Sequence, residues 1–236
     1  EAGDLQASDE MTTILVTGTG RGIGLELAKQ ALAKGWTVYG SAREPVTEPE
    51  AHICAHPAFH DLVFDVTDDA AVRAAAAAIA APIDIVINNA GIIGDLAPAP
   101  SETDLDVFAR TVAVNTIAPL RIAQAFLPHL KRSSRPRLLT LSSFMGTMSN
   151  TKANNIAYRA SKAAANKVMQ GLGVEFAQLG IAVATLHPGW VRTDMGGQGA
   201  DVAPEESAAG ILKIADELTI ATTGRFLNYD GTVLDW

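Results

Sequence analysis

Cysteine occurs once in the 236 residues, as Cys54. A single thiol cannot close an internal disulfide, which fits a reducing compartment and a cytoplasmic location. Nothing around Cys54 poises it as a nucleophile. The five histidines show no metal-ligand spacing. His52, His56 and His60 fall in a proline-containing loop region, and no bound metal is expected. Basic charge is also short: 18 Lys and Arg stand against 26 Asp and Glu, a net charge of −8. That balance argues against nucleic acid or an anionic membrane as the main partner. No apolar run is long enough to span a bilayer, and the N-terminus lacks the order of a signal peptide. Residues 1–10 are polar and precede Met11. The expectation is an expression leader, followed by one domain over 11–236.

Apolar material is plentiful, at 48% of the chain, enough for one sizeable core. Aromatics are few, at 6%, and alanine is abundant, which suits helices lying close to a sheet. Short β-branched or apolar runs predict strands at 12–16, 37–40, 62–64, 83–87, 137–141, 181–186 and 224–227. Helical stretches fall between them at 22–34, 69–80, 105–130, 157–179 and 204–218. The alternation predicts an α/β fold of βαβ units with a mainly parallel sheet. Unbroken apolar strands are expected where helices cover both faces. Asp68 and Asp69 suit the free N–H groups and dipole at the start of the alanine-rich helix. The basic run at 131–137 reads as a solvated loop; its sharper reading is a docking patch for phosphate or an acidic carrier.

The first strand runs into Thr17, Gly18, Thr19, Gly20, Arg21, Gly22, Ile23 and Gly24, and a helix follows. Helix-start N–H groups and the dipole make this an anion site, and glycine admits a pyrophosphate close to the backbone. The pattern is TGxxxGxG, a longer turn than GxGxxG. At the end of the second strand an acid would favour NAD. Ala42 stands there, followed by Arg43, and Arg21 lies in the glycine turn. Two guanidiniums suit an additional phosphate, so NADP(H) is expected. Glu44 is the acid that could override them.

Tyr158 and Lys162 are spaced i, i+4, on one face of a helix. A free phenol has a pKa of about 10. The lysine cation and oxidised nicotinamide would each stabilise the phenolate and lower it. Three predicted strand ends carry small polar or glycine residues: Asn88-Asn89-Ala90-Gly91, Ser142-Ser143, and Pro188-Gly189-Trp190-Val191-Arg192-Thr193. Ligands sit at such ends in open α/β sheets.

Taken in order, the glycine turn, Asn88 to Gly91, Ser143, Tyr158 with Lys162, and Pro188-Gly189 with Thr193 resemble the short-chain dehydrogenase/reductase family from about Met11 to Trp236. The resemblance implies a Rossmann-like doubly wound sheet of about seven strands, in the order 3-2-1-4-5-6-7, with helices on both faces. It also implies roles. Tyr158 is general acid in reduction and base in oxidation. Lys162 holds the nicotinamide ribose and lowers the Tyr158 pKa, and Ser143 hydrogen-bonds the substrate oxygen. Asn115 matches the support of a water-linked proton relay, with a helix kink near Pro119 as the alternative. Asp65, with Val66, matches the adenine contact. Asn89, Ala90, Gly91, Pro188, Gly189, Val191 and Thr193 join the cofactor set. The stretch from Ser143 to Tyr158 is about two residues longer than the family pattern, so choosing Ser143 over Ser142 is an inference. Its polar insert, 146–155, is expected at the substrate entrance.

Only about ten residues separate Thr193 from the next helix, where many members of the resembled family have a longer helical lid; the resemblance thus implies an open cleft and a tolerant substrate range. Segments 140–146, 158–162, 187–197 and 226–231 resemble the branch containing Sniffer-type carbonyl reductases and the C-factor signalling protein. Trp190 and Met195 are candidate substrate contacts, with core packing as the alternative; His187 reads as structural. The resulting expectation is NADPH-dependent reduction of a small carbonyl compound. Reduction of a carrier-bound 3-oxoacyl thioester and a non-enzymatic signalling role are the alternatives. The family resemblance implies that helices 105–130 and 157–179 pair across a two-fold axis in a homodimer or homotetramer.

Overall fold

The structure is a computed structural model that describes residues 11–45, 53–97 and 99–236. Residues 1–10 and His52 lie outside the described residues. Seven parallel strands form one sheet: β1 (Thr13–Thr17), β2 (Thr37–Ala42), β3 (Phe59–Val63), β4 (Ile85–Asn88), β5 (Arg137–Leu141), β6 (Ala182–His187) and β7 (Arg225–Asn228). Their order is 3-2-1-4-5-6-7, as the resemblance implied. Helices α1 (Gly22–Ala33), α2 (Asp69–Ala78), α3 (Leu105–Val112), α4 (Ala118–Leu130), α5 (Ile156–Ala177) and α6 (Pro204–Glu217) surround it.

Side-chain alternation divides the core between the two faces. Ile14 and Val16 pack with Leu27 and Ala28 of α1 and with Ile211 and Leu212 of α6. Leu15, between them, packs on the opposite face with Ile122 and Phe126 of α4 and Met169 and Phe176 of α5. The central strands β4 and β5 are buried throughout, which is why they read as unbroken apolar runs.

Two local features differ from expectation, and a third, the exposed basic loop, has partners the sequence did not announce. β3 starts at Phe59, three residues early, so His60 is a strand residue and stacks on Tyr39 with ring centroids 4.7 Å apart. An edge strand tolerates the polar pair His60 and Asp61, which hid it from an apolar-run search. The long helix at 105–130 is interrupted by a π-helical turn over Ala113–Ile117. Pro119 has no N–H for the Asn115 carbonyl four residues back, and its ring crowds that carbonyl. The helix kink given as the alternative for Asn115 is therefore present.

The third feature is the basic run. Arg132 donates to the Ala80 and Ala81 carbonyls just beyond α2, both at 3.1 Å. Arg137, buried at the start of β5, donates to the Ala215 carbonyl in the last turn of α6 at 2.9 Å. Arg135 donates to the neighbouring Asp216 carbonyl at 3.1 Å. Cations at helix C-termini satisfy orphan carbonyls and complement the dipole. Three of the run's arginines thus close helix ends, at the edge of the sheet where β5 begins.

Candidate active site

At the opposite edge, the carboxyl ends of β1, β4, β5 and β6 lie side by side, and the strand order reverses between β1 and β4. Ligands of doubly wound sheets bind at such a switch point.

The glycine turn leaves β1 here. Gly18 and Gly22 have φ of +78° and +55°, a region side chains resist. The Gly18 and Thr19 N–H groups donate to the Ser41 carbonyl at 2.7 and 2.9 Å, tying the turn to β2. Thr17 Oγ1 accepts from the Asn89 and Ala90 N–H groups, both at 3.1 Å, while Asn89 Nδ2 donates to the Thr17 and Gly18 carbonyls at 2.8 and 3.0 Å. A Cβ on Gly24 would stand 2.0 Å from the Gly18 oxygen and 2.4 Å from Asn89 Nδ2. Gly24→Ala should therefore lower unfolding free energy by about 1–3 kcal/mol in denaturant titration. Gly20, by contrast, has room for a Cβ, with only Ala42 in reach.

Helix α1 starts at this turn without a side-chain cap and without an acid in its first turn. In α2 and α3 the aspartates Asp68 and Asp104 fill that role. The α1 N–H groups are thus left to an anion, and the turn is a cradle that a Cβ would fill. Arg21 is exposed and pairs with Asp194 at 3.1 Å, joining the glycine turn to the loop after β6. Gly22 also faces Thr193 of that loop. Arg43 is exposed at the end of β2. Asp65 follows β3, and its Oδ1 accepts from the Thr67 N–H and hydroxyl at 2.8 and 2.7 Å. Burial pushes the Asp65 carboxyl up, but these bonds and the charges of Arg43 and Arg110 outweigh it, leaving it below the ordinary value. The Val66 carbonyl accepts from Arg121 at 2.9 Å.

Tyr158, Lys162 and Ser143 are all buried. Lys162 Nζ donates to the Leu141 carbonyl at 2.8 Å and stands 5.7 Å from the centre of the Tyr158 ring. Burial lowers the Lys162 ammonium to about 8. Burial raises the Tyr158 phenol, and a hydrogen bond from Ser143 opposes the rise. The phenol is therefore above its ordinary value on the chain's own groups, contrary to the expected lowering by Lys162. Ser142 faces inward, its hydroxyl donating to Asn166 Oδ1 at 2.5 Å. That separates it from Ser143, the serine that reaches the phenol.

The Asn115 side chain is fully engaged: Nδ2 donates to the Ile92 carbonyl (2.7 Å) and Ser161 Oγ (3.0 Å), and Oδ1 accepts from the Ile92 N–H (2.9 Å). Thr116 Oγ1 donates to the Ser161 carbonyl at 2.8 Å. The π turn thus grips α5 one residue before Lys162. Gly146 packs so closely that a Cβ would fall 2.7 Å from the Lys162 carbonyl carbon.

After β6, Gly189 has φ of +86° and abuts Tyr229 and Val202. Pro188 offers its carbonyl to Ser207 Oγ at 2.7 Å. The Val191 side chain is buried, and Val191 bridges to Val202. Thr193 Oγ1 accepts from the Gly196 N–H at 3.2 Å. Trp190 and Met195 are about half exposed, as is Phe144, so the core-packing alternative for the first two falls away.

The model of the short chain dehydrogenase family matches residues 12–202. The chain belongs to this family. Within the family it is 39% identical over 156 residues to "C-signal" of Myxococcus xanthus, covering 66% of this chain and 93% of that protein. The NADPH-bound carbonyl reductase from chicken fatty liver superposes with a TM-score of 0.88 at 33% identity, covering 96% of this chain and 99% of that one. The carbonyl reductase Sniffer of D. melanogaster gives 0.90 at 31% identity, covering 96% and 100%. Membership matches the described fold feature by feature, including the branch expected from the sequence.

Some site features had no sequence pattern to announce them. Arg159, next to Tyr158, is buried and donates to the Asn154 carbonyl (2.7 Å), Asn150 Oδ1 (3.0 Å) and Asn154 Oδ1 (3.1 Å). It clamps the polar insert to α5. An arginine in a helix reads as surface charge until its neighbours are known. The asparagine-rich composition at 150–155 was the available signal, since asparagine side chains suit loops that need internal acceptors.

Proposed function

We propose that this short-chain dehydrogenase is an NADP(H)-dependent carbonyl reductase in which Tyr158 is the general acid. One observation carries it: Ser143, Tyr158 and Lys162 meet in a buried cluster at the strand ends that also hold an uncapped, glycine-lined helix start.

A bound dinucleotide would be held by the turn from Gly18 to Gly24, by Asn89, Ala90 and Gly91, and by the main chain at Pro188, Gly189, Val191 and Thr193; when bound it supplies the hydride. Asp65 with Val66 would meet the adenine. Arg43 and Arg21 would meet a ribose phosphate, Arg21 exchanging Asp194 for it. Ser143 and Tyr158 donate to the oxygen of the substrate as charge grows there. Positioned donors of this kind contribute a few kcal/mol each to lowering a barrier. Tyr158 then gives up its proton. Lys162 supplies the charge that stabilises the phenolate left behind. The Asn115 carbonyl, deprived of its helical donor by Pro119, is a ready acceptor for a water replenishing that proton. Trp190 and Met195 offer apolar cover for the substrate.

Carrier-bound thioesters are disfavoured because Arg132, Arg135 and Arg137 are occupied with helix ends away from this edge. Signalling without catalysis is disfavoured by the completeness of the cluster.

The test is NADPH consumption against a panel of aldehydes, ketones, quinones and 3-oxoacyl thioesters. Turnover of simple carbonyls is expected. Consumption confined to the thioesters would replace this proposal, and no consumption at all would reject it. Cofactor choice has its own check. Arg43→Asp should lower the NADPH-to-NADH ratio of kcat/KM by about tenfold to a hundredfold, the worth of one charge-assisted hydrogen bond. An unchanged ratio would show that Arg43 does not meet the phosphate, and that Glu44 or Arg21 governs the choice.

A further inference from the structure

His187 ends β6, alongside β5: the Ser142 N–H donates to the Leu186 carbonyl at 2.7 Å. Alternate strand residues share a face, so His187 projects with Val183 toward the layer containing α5, the helix of Tyr158 and Lys162. Its ring lies 6.3 Å from that of half-exposed Phe144, the residue after Ser143. His187 has no part in the chemistry described above.

Its hydrogen bonding is incomplete. His187 Nδ1 is sealed from solvent and has no partner among the described residues. His129, also buried, anchors its Nε2 on the Ile79 carbonyl at 2.9 Å. His187 has no such anchor among the described residues, and its Nε2 is not sealed in the way Nδ1 is. Burial pushes the imidazole down to about 4, so it is neutral across the working pH range. A neutral ring carries one proton. Buried N–H groups without acceptors are rarer than acceptors without donors, so the proton belongs on Nε2. The ring then presents a neutral donor on its open side.

We propose that His187 and Phe144 form a substrate subsite, with Nε2–H donating to a second neutral acceptor oxygen close to the reacting carbonyl and Phe144 covering the carbon skeleton. The proposal rests on the carbonyl reductase assignment and adds the substrate class. Neighbouring strands lie about 4.8 Å apart, so donors at the ends of β5 and β6 are spaced for two oxygens of one small molecule. A neutral donor favours a ketone oxygen over a carboxylate, which would draw a cation.

Butane-2,3-dione and butanone test this with NADPH, because they differ chiefly in the second oxygen. His187→Phe removes the donor, keeps a ring against Phe144 and eliminates the unpartnered nitrogen. It should lower kcat/KM for the dione about tenfold, mainly through KM, and change butanone by no more than about twofold. The melting temperature should hold or rise. His187→Gln, which keeps an N–H donor, should recover part of the dione activity. Equal losses on both probes, or an unchanged ratio with a lowered melting temperature, would overturn the subsite while leaving the reductase assignment standing. A wild-type protein that consumes NADPH with neither probe nor any other carbonyl of the panel would overturn both.

Discussion

Tyr158→Phe should reduce NADPH-dependent carbonyl turnover by about a hundredfold to ten-thousandfold, the range expected for loss of a positioned general acid. The phenyl ring keeps the volume, and the helix around it is held by contacts the substitution does not touch. Ser161 Oγ still donates to the carbonyl of residue 158 at 2.7 Å, and Thr116 still holds the Ser161 carbonyl. The unfolding midpoint and NADPH affinity should therefore stay near wild type, and the loss should appear in kcat. Ser143→Ala should behave differently. It removes one donor to the growing charge and leaves the proton source in place, so its loss should be smaller, about a hundredfold to a thousandfold. Turnover that survives in Tyr158→Phe would remove the acid from the mechanism. A variant that loses NADPH binding together with turnover would make Tyr158 a cofactor contact first.

The pair matters because the chain alone does not acidify the phenol. Burial raises Tyr158, and Ser143 is the group that opposes it. Lys162, whose own ammonium burial lowers to about 8, is not among the groups that shift it. In the proposed reaction, positive charge arriving with an oxidised nicotinamide would add to that of Lys162 in stabilising the phenolate. A phenol raised in this way is well suited to hold its proton until reduction calls for it.

Much of this site was legible before the fold was known, for identifiable reasons. Strands buried on both faces leave unbroken apolar runs, so β4, β5 and β6 announced themselves, and their small polar ends stood out against the runs. The glycine turn was legible because Gly18, Gly22 and Gly24 answer to backbone angles or close approach, which no other residue satisfies. What stayed hidden depends on partners distant in sequence or on exposure. His60 and Asp61 disguised β3 because an edge strand need not be apolar. The π turn left no trace in the periodicity of 105–130, although Pro119 marked its place. Trp190 and Met195 could equally have been core residues, since an apolar side chain carries no label for which side of the surface it occupies. Arg132, Arg135 and Arg137 read as a charged loop because helix C-termini from α2 and α6 reach them only in the folded chain.

Lys162→Met should lower carbonyl reduction by about a hundredfold and should also change two pH dependences that a purely structural lysine would leave alone. The ammonium is held at about 8, below the ordinary lysine value of 10.5, because burial disfavours its charge. kcat/KM for NADPH reports groups of the free protein, so in the wild type it should fall above about pH 8 as Lys162 deprotonates. In Lys162→Met that limb should be absent. The sign for stability is the opposite. Because the folded-state pKa is lowered, the unfolded chain binds this proton more readily between the two values. The group's contribution to stability therefore rises with pH through that window and is least favourable below it, where the buried ammonium is charged. Comparing denaturant unfolding of wild type and variant cancels the other titrating groups. The difference should shift toward the wild type as pH rises through the window, by at most about 3 kcal/mol. A difference that stays flat would mean that Lys162 titrates as an ordinary lysine, and the limb in NADPH kinetics would then belong to another group. Both shifts together would tie the buried cation to cofactor binding, since one charge state would govern the fold and the turnover through the same proton.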